Sequence, residues 1–129
     1  VMVNAVKHPM FTLEERVDMI RRVTEDLPNV EVEYSDGLLA EYAKQFDRAT
    51  VVKGLRAASD FDYEFQMNLI NKKINPSMET MFLTASEKYT FLSSSIVREM
   101  AKYGADLTGF VPEEIKRDIE IKALQWGTD

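Results

Sequence analysis

Apolar residues recur along this chain with two different periods, and a helical period dominates its first third. Thr12 offers an N-cap, and Glu15 three positions later completes a capping box. Apolar positions then follow at helical spacing until Pro28 stops the pattern: Leu13, Val17, Ile20, Val23 and Leu27. The pattern predicts a first amphipathic helix over 13–27, with charged residues on its outer face.

The same helical period predicts four further helices, over about 38–46, 60–75, 93–104 and 112–124. Asp60 is expected to cap the third helix and Ser93 to open the fourth, while Pro112 suits the first turn of the last. The third helix carries an aromatic cluster that we expect to belong to the core: Phe61, Tyr63 and Phe65.

Short β-branched or alternating runs between the helices predict strands. Val1–Val3 is typical of the end of a buried strand, and Val30–Tyr34 alternates as a strand of its own. Thr50–Val52 is expected to be a buried strand, followed after one helix by Thr80–Leu83. Strands alternating with helices indicate βαβ units, so we predict an α/β fold with a doubly wound parallel sheet covered on both faces. With no linker or repeat visible, residues 1–129 are expected to form a single domain.

Composition narrows the class of protein. A formal charge of -6 argues against a nucleic-acid binder, which usually has a basic face. With no cysteine, disulfides and thiolate metal sites are excluded, and no apolar run is long enough to span a bilayer. We see no metal-ligand cluster and no Walker A pattern, and His8 is the only histidine, without a catalytic partner. A cytoplasmic protein with no membrane partner is expected.

The residues that suggest chemistry fall beyond the expected carboxyl ends of the strands, where α/β sheets bind ligands. They are Lys7, Gly37–Leu39, Lys53–Arg56 and Tyr89–Ser95. Serines that open a helix present backbone N–H groups and the positive end of the helix dipole, which suits a phosphate. Lys53 and Arg56 add two cations beside Gly54, a residue that lets the backbone turn sharply. This grouping predicts a nucleotide or phosphate-ester site.

Each of these features also has a plainer interpretation when it is taken alone. Ser93 can be an ordinary N-cap, and the Lys53–Arg56 segment can be a charged surface loop. Glu64 can be a favourable charge near a helix N-terminus, and Lys7 a solvated loop lysine.

Several segments together resemble bacterial phosphopantetheine adenylyltransferases. The matching blocks are KHPMFTLEER at Lys7–Arg16, KGLR at Lys53–Arg56, DFDYEFQM at Asp60–Met67, YTFLSSSIVRE at Tyr89–Glu99, and Gly104–Leu107 with Pro112. The resemblance runs nearly end to end at consistent spacing. It implies a Rossmann-like nucleotidyltransferase fold and transfer of the AMP part of ATP to 4'-phosphopantetheine, which gives dephospho-coenzyme A and pyrophosphate. It also implies Mg²⁺ with ATP and a homohexamer.

The resemblance further implies roles for individual residues. Lys7 and Arg56 become candidate catalytic residues, and Lys7 also belongs to the substrate set. The implied phosphopantetheine contacts are Lys7, Gly37, Leu38, Leu39 and Lys53. The implied ATP contacts are Gly54, Leu55, Arg56, Glu64, Tyr89, Thr90, Phe91, Leu92, Ser93, Ser94 and Ser95.

The chain departs from the family at its start, because no Gly-rich turn with the family's histidine motif occurs in it. We expect about one βα unit, roughly 30 residues, to be absent, and residues 1–129 alone to fold poorly and have negligible activity. Two alternatives to the main interpretation follow. One is a related nucleotidyltransferase, and the other is a non-catalytic nucleotide- or coenzyme A-binding fragment.

Overall fold

A computed structural model describes residues 1–3 and 8–126. In chain order its regular elements are helix α1 (Leu13–Val23), helix α2 (Leu39–Tyr42), strand β1 (Thr50–Leu55), helix α3 (Ala58–Ile74), strand β2 (Glu79–Thr84), helix α4 (Ser94–Lys102) and helix α5 (Glu113–Gln125). Short 3₁₀ turns follow α2 at Ala43–Gln45 and follow β2 at Glu87–Tyr89. The chain divides into two compact units, which we call the helical unit (8–34 and 92–126) and the sheet unit (35–91).

The helical unit is built from α1, α4 and α5 around a shared core. α5 packs against both other helices. The buried residues of this core are Met10, Met19, Ala101, Leu107, Ile119 and Ala123. Two ion pairs also join α1 to α5, from Arg22 to Asp118 at 2.6 Å and from Lys122 to Glu15 at 2.7 Å. This unit therefore holds its helices together by a continuous apolar core with charged pairs at its margin.

The predicted capping box of α1 is confirmed. Thr12 accepts a hydrogen bond from the N–H of Glu15 at 3.2 Å, and the Glu15 carboxylate accepts one from the N–H of Thr12 at 2.7 Å. The predicted end of the helix at Leu27 is wrong, because α1 ends at Val23. Thr24 leaves helical geometry at φ -110°, and its hydroxyl donates to the carbonyl of Ile20 at 2.8 Å. The sequence pattern did not indicate this end, because the apolar spacing continues to Leu27, beyond the last helical residue.

The sheet unit is a βαβ unit, as the alternating pattern predicted. β1 and β2 pair in parallel, from Thr50 opposite Glu79 to Leu55 opposite Thr84. α3 connects them and packs on β1. Asn75 is buried where α3 ends, donating to the carbonyl of Ala40 at 3.2 Å and accepting from the Ser77 hydroxyl at 2.7 Å. A small core of Ala40, Ala43 and Met78 lies nearby.

The expectation that both sheet faces are covered is wrong for the described part of the chain. Val52, Met81 and Leu83 lie on one face of the sheet, and each is more than half exposed. The strand pleat points alternate side chains to opposite faces, so Thr50–Val52 is not fully buried. The aromatic cluster of α3 is also partly exposed, with Tyr63 63% exposed, although Phe61 packs edge-on against Phe82 at 5.6 Å.

Two other expected strands are not formed. Val30–Tyr34 is not a strand, and near it only an isolated bridge joins Met2 to Ser35. One bridge does not make a ladder, so alternation alone was insufficient there. Val1–Val3 is likewise not a buried strand, because Val3 is 40% exposed.

The second helix, predicted over about 38–46, is shorter than expected, because α2 ends at Tyr42 and a 3₁₀ turn follows it. The limits of α3, α4 and α5 agree more closely with the sequence pattern. The prediction that Asp60 is the N-cap of the third helix is wrong, because the N-cap is Ala57 and Asp60 lies in the first turn of α3. The helix ends before Pro76, as predicted. α4 ends at Lys102, just before Gly104 at φ 70°. α5 begins directly after Pro112, which is its N-cap residue. Among the described residues, no helix is long and apolar enough to cross a membrane.

Candidate functional site

An ion pair joins two of the predicted site residues in the sheet unit. The ammonium of Lys53 lies 3.1 Å from a carboxylate oxygen of Glu64, which lies in the second turn of α3. The two side chains are 35% and 24% exposed, so the pair is partly shielded from water. The structure thus brings together a residue predicted to contact phosphopantetheine and one predicted to contact ATP.

Arg56 follows the last residue of β1 and is held by Asp60. One carboxylate oxygen of Asp60 accepts from the backbone N–H of Arg56 at 3.0 Å and from its Nε at 3.2 Å. The Arg56 side chain is 41% exposed, so it reaches the surface at the carboxyl end of the strand. The pKa of Asp60 is lowered, first because it accepts the Arg56 backbone N–H and then because it bonds the guanidinium.

Gly54 does not form the sharp turn that we predicted for it. It lies inside β1 with Lys53 and Leu55, and its partner across the ladder is Leu83. It has no positive φ, and a Cβ built on it would meet nothing within 4 Å. The turn instead begins at Arg56, where the strand ends. The open space beside Gly54 still leaves its backbone accessible on the exposed sheet face.

The predicted pantetheine segment lies at the start of α2. The N–H of Gly37 donates to the hydroxyl of Ser35 at 3.2 Å, which closes a small turn. Leu38 is the N-cap residue of α2 and is 62% exposed, while Leu39 begins the helix. An exposed leucine before a helix of one turn offers apolar contact surface to a ligand chain.

The predicted nucleotide loop is divided between the two units. Tyr89, Thr90 and Phe91 belong to the sheet unit, and Leu92 and the three serines belong to the helical unit. The Lys88 ammonium lies 5.1 Å from the centre of the Tyr89 ring. Phe91 is 57% exposed.

The serine run opens α4, as predicted. The Ser93 hydroxyl accepts from the N–H of Ile96 at 3.3 Å, so Ser93 is the N-cap. Ser95 Oγ accepts from the Arg98 guanidinium at 3.4 Å. The Ser93 side chain is therefore an ordinary N-cap. Ser94 lies in the first turn of α4, at the positive end of the helix dipole.

A cavity of about 600 Å³ lies beside this helix start, entirely within the helical unit. Its lining combines Ser94 and Ser95 with two arginines, the histidine and apolar side chains: His8, Pro9, Met10, Phe11, Arg16, Ser94, Ser95, Val97, Arg98 and Ile119. Two guanidinium groups beside a helix N-terminus give this cavity a positive potential suited to an anion.

Sequence reasoning missed Asp60, Arg16 and Arg98 as members of these sites. Arg98 could have been found, because a residue three positions after Ser95 lies on the same helix face. Asp60 is expected to be a helix cap and opens the family-matching block Asp60–Met67, but neither observation gives it a role in a site. Arg16, whose Nε donates to the carbonyl of Thr12 at 3.3 Å, ends the family-matching block Lys7–Arg16, but that block assigned it no role in a site.

Lys7, the predicted lysine of the catalytic and substrate sets, lies outside the described residues. Within residues 1–3 and 8–126, no group of three or more His, Cys, Asp or Glu side chains could hold a metal ion.

Comparison with known proteins decides the family. A cytidylyltransferase-like family model matches residues 1–100. The phosphopantetheine adenylyltransferase of Caldanaerobacter subterraneus subsp. tengcongensis is 55% identical over 113 residues, which cover 88% of this chain and 71% of that protein. The enzymes of the same name from Dictyoglomus turgidum and Finegoldia magna are 51% and 52% identical, over 87% and 91% of this chain and 70% and 72% of theirs. The chain belongs to the phosphopantetheine adenylyltransferase family.

This membership confirms the predicted family and the Rossmann-like nucleotidyltransferase fold. In that fold, β1 and β2 form a parallel pair that α3 connects. This β1–α3–β2 unit, with the residue after β1, carries Lys53, Arg56 and Glu64.

Proposed function

We propose that this chain is the nucleotidyltransferase that moves the adenylyl group of ATP onto 4'-phosphopantetheine in coenzyme A biosynthesis. The products are dephospho-coenzyme A and pyrophosphate, and the reaction is reversible. One observation carries the proposal: relatives that are 50% identical or more over about nine-tenths of the chain are named for this activity.

The reaction needs no covalent enzyme intermediate. A phosphate oxygen of phosphopantetheine forms a bond to the α-phosphorus of ATP, while the bond from that phosphorus to the bridging oxygen breaks and pyrophosphate leaves. The phosphate is already a nucleophile, so the protein has to place two anionic substrates in line and stabilise the charge that develops. Cations and helix N-terminal N–H groups are suited to both tasks.

In the sheet unit we assign Lys53 to the phosphate of phosphopantetheine and Arg56 to the phosphates of ATP. Lysine is a mobile point charge and arginine is a planar fork, which suits them to different phosphate geometries. Each already has a carboxylate partner, so unliganded protein keeps both cations near their working positions. Glu64, freed when Lys53 turns to a phosphate, is assigned as a hydrogen-bond acceptor for ATP.

The other assignments follow the same logic. Gly54 and Leu55 offer accessible strand backbone to ATP, and Gly37, Leu38 and Leu39 offer apolar surface to the pantetheine arm. Ser93–Ser95 offer helix N-terminal donors to phosphate, with Tyr89–Leu92 leading into them. We keep Lys7 as a candidate catalytic and substrate-binding residue.

We propose that Mg²⁺ enters as a complex with ATP. The described residues provide no carboxylate cluster to hold it, and Mg²⁺ in phosphoryl-transfer enzymes is commonly bound through substrate phosphates. Bound there, it would neutralise charge on the departing pyrophosphate.

We also propose a homohexamer, with α3 among its contact surfaces. No residue of this 17-residue helix is buried, while Leu69 and Ile70 are 55% and 52% exposed. A long helix with so much exposed apolar surface is typical of an interaction site. We expect Leu69→Glu to reduce the mass measured by light scattering, and Tyr103→Glu, at a 77% exposed position of the other unit, to leave it unchanged. A hexameric Leu69→Glu protein would contradict this contact.

We propose a cytoplasmic location, since the reaction draws on ATP and supplies coenzyme A biosynthesis there.

The function is tested by incubating the natural protein with ATP, Mg²⁺ and 4'-phosphopantetheine and measuring pyrophosphate and dephospho-coenzyme A. We expect both products in equal amounts and none without phosphopantetheine. Turnover only with CTP, or only with nicotinamide mononucleotide as acceptor, would indicate a related nucleotidyltransferase. Binding of coenzyme A without any turnover would indicate a non-catalytic module.

A further inference from the structure

Arg56 is bound to Asp60 through both its backbone and its side chain. Asp60 Oδ2 accepts from the backbone N–H at 3.0 Å and from Nε at 3.2 Å, and Oδ1 lies 3.5 Å from Nη2. A guanidinium is planar, so a carboxylate that contacts its Nε edge sets the orientation of the whole group. The two residues are four positions apart, across the junction between β1 and α3.

Asp60 is itself well anchored. It lies in the first turn of α3, where the helix dipole favours a negative charge. The next residue, Phe61, packs edge-on against Phe82 of β2 with ring centroids 5.6 Å apart. The pKa of Asp60 is lowered by the hydrogen bond from the Arg56 backbone N–H and then by the Arg56 guanidinium, so the Asp60 carboxylate stays charged at neutral pH. The orientation of Arg56 is therefore fixed relative to the sheet, because Asp60 belongs to α3 and α3 packs on the sheet through Phe61.

We infer that Asp60 is a positioning residue, which holds the Arg56 guanidinium in the direction required by the phosphates of ATP. This inference rests on the proposed adenylyl transfer, in which Arg56 meets those phosphates. Asp60 itself carries a negative charge and would repel the substrate, so its contribution passes through Arg56.

A purely structural role for Asp60 makes a different prediction. As a first-turn carboxylate it also stabilises the start of α3, and losing that would lower stability whether or not Arg56 were present. A positioning role would instead disappear once the Arg56 side chain is removed. The two roles therefore separate in a double-mutant cycle.

The test compares Asp60→Asn, Arg56→Ala and the double variant in the natural protein, by steady-state kinetics and by calorimetric titration with ATP. Asn keeps the shape and one acceptor oxygen while removing the charge. We expect Asp60→Asn to lower kcat/KM for ATP by about tenfold to a hundredfold, with the KM for phosphopantetheine nearly unchanged. In the Arg56→Ala background the same change should have less than about a twofold effect.

Glu15→Gln supplies a matched control. Glu15 occupies the same first-turn position in α1, where its carboxylate accepts the Thr12 N–H at 2.7 Å and pairs with Lys122 at 2.7 Å. We expect this variant to change the melting temperature but not the kinetics.

Three outcomes would overturn the inference. Wild-type kinetics for Asp60→Asn would show that the charge does not act on Arg56, and an equal loss in the Arg56→Ala background would show a structural role only. A wild-type protein that neither binds ATP nor turns over would refute the proposed function, and this inference with it. Because that last result is seen before any variant is made, the two failures are distinguishable.

Discussion

The two units carry groups of different kinds that are suited to binding phosphate. In the sheet unit, Lys53 and Arg56 are full charges already paired with Glu64 and Asp60. In the helical unit, the start of α4 offers backbone N–H groups and hydroxyls beside the cavity that Arg16 and Arg98 line. Lys53 must exchange Glu64 for a phosphate when ligand binds, whereas Arg56 keeps its contact with Asp60 and the helix N-terminal donors are fixed by the backbone.

The units also differ in what supports these groups. The helical unit has six buried residues in one cluster, including Leu107 with no exposed surface. The sheet unit has a cluster of three, and α3, which carries Asp60 and Glu64, buries none of its residues. The serines at the start of α4 (the serine site) are therefore supported by a packed core. Lys53 and Arg56 (the charged site) depend more on their ion pairs with Glu64 and Asp60.

The largest effect is expected from opening the core beneath the serine site. Leu107→Ala removes a fully buried side chain and should lower the free energy of unfolding by about 2–5 kcal/mol, measured by urea denaturation. Leu124→Ala is the matched control, because Leu124 is 75% exposed and its loss should cost less than about 0.5 kcal/mol. Similar losses of unfolding free energy in the two variants would contradict the conclusion that the helical unit has a packed core.

Removing the charge at the end of β1 should have the next largest effect, and it should fall on catalysis. Arg56→Ala is expected to lower kcat/KM for ATP by about a hundredfold or more, since it deletes the charge that we assign to the ATP phosphates. Arg48→Ala, at an exposed loop position, should leave steady-state kinetics unchanged. If the Arg56 variant retained wild-type turnover, the charged half of the site would have to be reassigned.

Ser93→Ala tests whether the backbone N–H donors at the start of α4 depend on the Ser93 cap. The change removes the hydroxyl that accepts from Ile96 and should cost about 1 kcal/mol in thermal unfolding. Fraying of α4 should also weaken ATP binding, by about threefold, which is less than for Arg56→Ala. Ser59→Ala, an exposed serine on α3, serves as the control. Unchanged stability with strongly reduced turnover would mean that the hydroxyl acts on the substrate directly.

The smallest effect is a pH dependence within the helical unit. The pKa of Asp106 is lowered from 3.8 to about 2, mainly by hydrogen bonds from the hydroxyl and N–H of Thr108 and then by Lys116. A lowered carboxyl pKa stabilises the folded state above the unfolded-state pKa, and the contribution is lost as the pH falls towards the folded-state value.

The difference in unfolding free energy between wild type and Asp106→Asn should therefore be constant above about pH 5 and shrink between pH 3.8 and about 2. Urea denaturation across this range measures it. A difference that is independent of pH would show that Asp106 contributes no charge-dependent stability.

Local patterns predicted much of the fold correctly. The capping box at Thr12 and Glu15, the Ser93 cap and the stop at Gly104 all involve groups a few residues apart, so their contacts follow from chain geometry. The errors occurred where a pattern needed a distant partner. Val30–Tyr34 alternates like a strand but has no ladder, and Gly54 resembles a turn residue but is paired with Leu83 inside β1.

The candidate site followed the same division. Motif spacing was sufficient to identify the family and to name Lys53, Arg56, Glu64 and the serines. It could not show that Lys53 and Glu64 form an ion pair, because they are 11 positions apart and a strand-to-helix turn lies between them. Nor could it show that Arg16 and Arg98 line one cavity.

By itself, then, the sequence determined the family, the starts of α1, α4 and α5, and the residue types available for phosphate binding. These depend on motif identity and on hydrogen bonds over three or four residues. Only the tertiary structure decided that Lys53 pairs with Glu64 and Arg22 with Asp118, and which sheet face is exposed. Those properties depend on directions and distances between elements, which are fixed when the helices and strands pack.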